Sequence, residues 1–243
     1  MIAGERSARV NPGKARQAFT VVELVVTIGI VMVLAGLFLG AASRTRTVSD
    51  DVKCVSNLRQ IGMGTIGYAH DHDETLPGPL YIGVFPWWTD TVALSWRIQK
   101  YIDVDPNQFK TRDDVFICPA YAKVTKDYRV IPDYMLNGQV RMRGDELLHQ
   151  PFGYPEKQIL GTKIPVYELV PLKIFQLGDI CDSNGIVGAS KVWAVKDCDG
   201  LDSMMRNSSY YKQLPKTMLH NGHRNALFFD FHVGRVGLNN EPI

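Results

Sequence analysis

Residues 24–42 read LVVTIGIVMVLAGLFLGAA, without a single formal charge, and the reading of this stretch decides the expected fold. As an α-helix rising about 1.5 Å per residue it reaches roughly 28 Å, enough to cross a hydrocarbon core, so the spacing predicts a transmembrane helix. Its glycines are tolerated where the backbone must satisfy itself as helix, and Gly36 with Gly40 forms a G-x-x-x-G pair through which helices can approach. The run is too long for a cleaved secretory signal and ends without a small-x-small site. Lys14 and Arg16 on its amino side favour a cytoplasmic N-terminus, although Arg44 and Arg46 lie just beyond the far end.

Glu23 stands at the edge of the apolar run, where insertion of a carboxylate costs about 2.5–3.5 kcal/mol. It is either a headgroup-level carboxylate or one that finds a cationic partner. The string KARQAFTVVELVVTIGIVMVLAG, residues 14–36, resembles the N-terminal cleavage and methylation signal of type IV prepilins and type II secretion pseudopilins. That resemblance implies cleavage between Ala18 and Phe19 by a prepilin peptidase, N-methylation of Phe19, and a register pairing of Glu23 with the amine of Phe19 on a neighbouring subunit. Two departures are plain. Ala18 replaces the usual Gly before the cut, and Gly40 stands where many pilins carry a kinking Pro, which points to a pseudopilin or pilin-like relative.

Beyond the apolar run, Val48, Val52, Val55, Leu58 or Ile61, Ile66 and Ala69 recur at helical spacing, so the helix is expected to continue to about His70 with this stripe inward. From Phe19 to His70 it would measure roughly 78 Å if unbroken. Gly62, Gly64 and Gly67 either loosen its last turns or let another element pack closely. A second resemblance is carried by CVSNLRQIGMGTIGYAHDHDETLP, residues 54–77, by Cys118 and Pro119, and by Asn225, Phe228, Asp230, His232 and Val233. These look like pilin-like proteins whose ectodomain is a domain of unknown function; Phe231 departs from them at a position where Gly is usual. Further on, the pattern predicts a helix over 89–102 with Val92 and Trp96 inward. Strands are predicted over 115–118, 173–177 and 185–195, with a hairpin of 225–229 and 233–238.

With 243 residues, 45% hydrophobic, disordered, collagen-like and small disulfide-knot classes are excluded. The net charge is only +2, and its surplus sits in the leader, where Arg6, Arg9, Lys14 and Arg16 face Glu5, so no nucleic-acid surface is indicated. The expected topology puts Cys54, Cys118, Cys181 and Cys198 on an oxidising side, as disulfides or as buried thiols; proximity in sequence favours Cys181 with Cys198 and Cys54 with Cys118. No C-x-x-C pair supports a zinc knuckle. Asp197, Asp199 and Asp202 around Gly200 offer oxygen ligands to calcium, an ion that the heads of major pseudopilins use, but lack an EF-hand frame. His70, Asp71, His72, Asp73 and Glu74 read as a solvated helix exit, and His220, His223 and His232 near Asp230 as structural. No motif of a hydrolase, P-loop, zincin or dinucleotide enzyme is present, so no catalytic residue and no cofactor other than calcium is expected.

The expected protein is therefore α+β and pilin-like, a long N-terminal helix packed on a small, mostly antiparallel sheet. Its parts are a leader at 1–18, a transmembrane half-helix at 19–42, an amphipathic half-helix at 43–70 and a head at 71–243. It would be a non-enzymatic, single-pass inner-membrane subunit with a cytoplasmic N-terminus, building a periplasmic or surface filament. The resemblance implies prepilin peptidase, other pilin-like subunits, a secretion ATPase with its membrane platform, and membrane lipid as partners. Whether the product is a pilus, a secretion pseudopilus or a DNA-uptake fibre is left open. The alternative is a membrane-anchored glycan-binding protein or enzyme with Trp87, Trp88, Trp96 and Trp193 on its surface.

Overall fold

A computed structural model describes residues 19–85, 91–102, 115–125, 131–144, 148–153, 155, 170–182 and 185–243, with only the helical backbone of 38–45. The leader, including Ala18, and Trp87 and Trp88 lie outside the described residues. The chain forms two compact units, Met1–Thr45 and Arg46–Ile243, and helix α1 (Val21–Asp71) contributes to both.

In the first unit α1 opens on a reciprocal cap. The Thr20 backbone N–H and hydroxyl donate to Glu23 Oε2 at 2.9 and 2.8 Å, and the Glu23 N–H donates back to Thr20 Oγ1 at 3.2 Å. This is a capping box, which satisfies backbone donors that a helix start leaves without partners. The described side chains that follow, through Leu37, are exposed on every face of the helix.

The membrane expectation is corrected. Among the described residues no helix is long and apolar enough to cross a membrane. The stretch of α1 in the second unit carries Arg46, Asp50, Asp51, Lys53 and Arg59, so it is not apolar. The pilin-like fold of a membrane half joined to an amphipathic half is thus not what is found. With it go the transmembrane assignment of 19–42, the single-pass inner-membrane placement and the role for membrane lipid. The amphipathic segment 43–70 also falls differently, because the boundary at Thr45 and Arg46 makes nearly all of it part of the head.

The second unit is α+β with antiparallel sheets. A five-stranded sheet runs in the order β1-β2-β7-β8-β9, from β1 (Gly83–Val84), β2 (Tyr134–Leu136), β7 (Trp193–Asp197), β8 (Arg224–Phe228) and β9 (Val233–Val236). A four-stranded sheet runs β4-β3-β5-β6, from β3 (Val140–Met142), β4 (Leu148–His149), β5 (Ile180–Asp182) and β6 (Gly185–Ile186). The β8–β9 hairpin forms where the alternation predicted it, but the single strand predicted over 185–195 is two, β6 in the four-stranded sheet and β7, which runs on to Asp197, in the five-stranded one. Residues 115–118 and 173–177 are not strands: the former precede helix α3 (Pro119–Val124), and the latter enter the 3-10 turn Ile174–Asp179. Helix α2 (Leu94–Ile98) is shorter than predicted and turns Trp96 outward.

The face that α1 buries shares Leu58, Ile61 and Ala69 with the expected stripe and is rotated from it elsewhere. Cys54, Asn57, Leu58, Ile61, Thr65, Tyr68 and Ala69 are buried, whereas Val48, Val52 and Ile66 are exposed. Close approach decides the rotation. A Cβ at Gly62 would lie 2.9 Å from Leu227 Cδ1 of β8, and one at Gly64 would lie 2.6 Å from Ile102 Cγ2, so these glycines let backbone meet side chain where any methyl would intrude. They hold contacts rather than loosening the helix.

Candidate functional site

Four chain segments converge beneath α1. Cys54 projects from its buried face. Cys118 immediately precedes α3, with Pro119 at the first helical position, where its fixed φ suits a helix start. The Cys118 segment is fastened twice: its N–H donates to Asp133 Oδ2 at 2.7 Å, and the Asn57 amide of α1 donates to the Ile117 carbonyl at 2.9 Å. Asp197 ends β7 opposite Tyr134 of β2. His220 stands before a two-residue turn in which Asn221 and Gly222 have φ of 53° and 88°, the left-handed pair a tight hairpin turn requires.

The Cys54 and Cys118 thiols, the Asp197 carboxylate and the His220 imidazole are buried, and their potential ligand atoms all lie within 4.8 Å of one another. The Cys54 thiol donates to Asp197 Oδ1 at 3.1 Å. His220 Nε2 is 3.3 Å from Cys118 Sγ and 3.4 Å from Asp197 Oδ2. The Tyr134 hydroxyl lies 3.5 Å from Cys54 Sγ, and the Asn225 N–H donates to Asp197 Oδ2 at 2.6 Å. On its far side, His220 Nδ1 lies 3.2 Å from Asp51 Oδ1. Asp51 in turn accepts from the Asn225 amide at 2.7 Å and from Arg235 at 3.2 Å.

The electrostatics follow from crowding of ionisable groups away from water. Burial pushes the Cys54 thiol up, reinforced by Cys118 and Asp197. Burial and the Cys118 charge raise Asp197 to about 7. Burial opposes ionisation of Cys118 and His220 too, but the hydrogen bonds from Cys54 and then His220 outweigh it at Cys118, bringing it down to about 5, and Cys118, Asp197 and Asp51 outweigh it at His220, bringing it up to about 9. Cys118, His220 and Asp51 thus have the order of a nucleophile, a base and an orienting acid. Their burial denies a substrate access: Cys118 and His220 are each 1% exposed. Two surface clefts, of about 540 and 480 Å³, are lined by other residues. Chemically the cluster is a closed set of S, S, O and N donors.

Of the two expected states of the cysteines, disulfides or buried thiols, the structure holds the second at Cys54, Cys118 and Cys198, with no cysteine bonded to another. Cys54 and Cys118 are neighbours, as their proposed pairing required, but Cys181 is half-buried on β5 and Cys198 is buried after β7 of the other sheet. The expected calcium ligands do not share a centre. Asp199 accepts bidentately from Arg224 at 2.6 and 2.9 Å, and Asp202 pairs with the buried Lys196 while capping the 3-10 turn Ser203–Met205. Only Asp197 belongs to the cluster. Phe19 and Glu23 stand exposed in the first unit. His220 is the site residue that sequence reasoning passed over, although the Asn221-Gly222 turn signal marks its position.

The fold and site define an α+β protein with a sealed Cys, Cys, Asp, His cluster at the junction of helix and sheet. Comparison with protein-family models, with curated proteins and with solved structures finds no match to this chain.

Proposed function

We propose that the chain is a structural subunit of the pseudopilin or pilin-like kind. In this reading it is cut before Phe19 by a prepilin peptidase and joins other such subunits in a type II secretion or type IV pilus-like filament driven by a secretion ATPase and its platform. The observation that carries the reading is the start of α1. From Val21 to Leu37 an almost wholly apolar helix is exposed on all faces, with Glu23 in its first turn. A helix apolar all round is at rest only when enclosed by other apolar surface, and further copies of the same helix supply it. The prepilin-like string around Ala18 and Phe19 supports the same reading. Of the two described tryptophans on which the glycan-binding alternative rests, Trp193 is buried with the Lys196 ammonium 4.0 Å from its ring centre and Trp96 is exposed.

Intact mass and N-terminal sequencing of the native protein, with the peptidase present and deleted, test processing. A chain starting at methylated Phe19 only when the peptidase is present is expected; a chain retaining 1–18 in both sinks the reading. Glu23→Gln separates the two roles of Glu23, because an amide keeps the capping acceptor but not the charge. Loss of filament incorporation with retained helicity is the expected result.

A further inference from the structure

The buried cluster lies in the second unit, apart from the residues that carry the proposed assembly. We infer that Cys54, Cys118, Asp197 and His220 bind one zinc ion as a structural centre that fastens α1 to the sheet. Geometry is the first ground. Ligands at 2.0–2.3 Å from a tetrahedral ion are separated from one another by roughly 3.3–3.8 Å. Cys54 Sγ lies 3.1 Å from Asp197 Oδ1, His220 Nε2 lies 3.4 Å from the other oxygen, Oδ2, and 3.3 Å from Cys118 Sγ, and one donor atom from each of the four residues falls within 4.8 Å of every other. The four donors therefore need to contract by no more than about 1 Å to surround an ion.

Donor chemistry is the second ground. Two sulfurs, an imidazole nitrogen and a carboxylate oxygen suit a borderline-soft divalent ion and are wrong for calcium or magnesium, which take oxygen shells. Four protein ligands without an open position make the site structural. The third ground is the surrounding shell. Asp51 stands behind His220 Nδ1 in the order carboxylate, histidine, metal, and is itself held by Asn225 and Arg235. His220 Nδ1 has no hydrogen-bond partner at present, so a small ring rotation that brings Nε2 onto the metal also aligns Nδ1–H with Asp51.

Without the ion, two thiols, an acid and an imidazole are packed where apolar side chains would serve stability better. Zinc gives them a reason to be together. Zinc takes both sulfurs as thiolates and the imidazole as its neutral form, so binding releases the proton of Cys54 and the one shared by Cys118 and His220 to solvent, and because the ligands come from α1, the segment before α3, β7 and the turn before β8, binding is coupled to folding.

The test uses the full chain, expressed with zinc in the medium and purified under a non-chelating reductant. About one zinc per chain is expected, with a zinc-edge X-ray absorption shell of two sulfurs near 2.3 Å and two nitrogen or oxygen atoms near 2.0 Å. Cobalt replacing zinc should show thiolate charge-transfer and tetrahedral ligand-field bands. The charge-transfer intensity should fall by about half in Cys54→Ser or Cys118→Ser and stay unchanged in Cys181→Ser. Wild-type protein that takes up no zinc overturns the inference, as does a zinc shell without sulfur, or a Cys54–Cys118 disulfide whose reduction creates no zinc affinity. These wild-type readouts decide the matter even where a variant fails to fold.

Discussion

Arg224 grips both oxygens of Asp199, Nε to Oδ2 at 2.6 Å and a terminal nitrogen to Oδ1 at 2.9 Å, with both side chains almost wholly buried. The same guanidinium donates to the Gly237 carbonyl at 3.2 Å and to Asn240 Oδ1 at 3.0 Å, tying the C-terminal segment to β8. Beside it, Lys196 pairs with Asp202 and Asn240. Two cations and two carboxylates thus neutralise each other inside the head, so Asp199 and Asp202 already have partners in place of a metal.

Breaking either pair strands a buried charge, so Asp199→Asn and Asp202→Asn are each expected to cost about 3–5 kcal/mol in denaturant unfolding. The double replacement Lys196→Met with Asp202→Leu, which strands nothing, should cost much less. Equal losses in the single and double variants would show that packing, not charge pairing, holds this region.

The pH dependence of that pair has a definite sign. Burial alone would raise the Asp202 carboxyl, but the Lys196 charge and hydrogen bond outweigh it and hold it below its ordinary value of 3.8. The folded state therefore binds the proton less readily than the unfolded state. The stabilisation is complete above the unfolded value and is lost as pH falls through the lower folded value. Wild-type stability should drop on acidification below about pH 4 more steeply than that of the Lys196→Met, Asp202→Leu protein. Parallel acid limbs in the two proteins would contradict this.

Glycines of α1 divide by unit. Gly36 has no atom within 4 Å of the place a Cβ would occupy, whereas at Gly64 that place is 2.6 Å from Ile102 Cγ2 and 3.2 Å from Ile98 Cβ. Gly36→Ala should raise helicity, by circular dichroism, with a gain of up to about 1 kcal/mol. Gly64→Ala should lower the thermal stability of the head by about 1–3 kcal/mol through overpacking. A stabilising Gly64→Ala would mean that the helix stands off from α2 in solution.

Phe231 occupies the left-handed region at φ 67° in the turn between β8 and β9. Phe231→Gly and Phe231→Ala both lose the ring's packing on the core, and only glycine relieves the backbone. The glycine variant should exceed the alanine variant by about 1 kcal/mol in chemical denaturation. No difference would place the turn in another geometry in solution.

Much of the head's local structure stands in the sequence. The 225–238 alternation is a hairpin because strand periodicity is local. The membrane reading of 24–42 rested on a sum of apolar residues alone. The inward face of α1 keeps Leu58, Ile61 and Ala69 of the apolar stripe but not Val48, Val52 and Ile66, because glycine-mediated contact with Leu227 and Ile102 turns the helix toward Cys54, Asn57 and Thr65.

What the sequence by itself determined is therefore the set of short-range elements: an apolar helix start, an antiparallel α+β head, and turns placed by Gly, Asn and Pro. Only the tertiary structure decided which face of α1 is buried, which aspartates meet cations, and that Cys54, Cys118, Asp197 and His220 meet at all. Periodicity and capping act over a few residues. The cluster joins Cys54 to Asp197 across 143 positions and Cys118 to His220 across 102, distances over which only the packing of helix on sheet carries information.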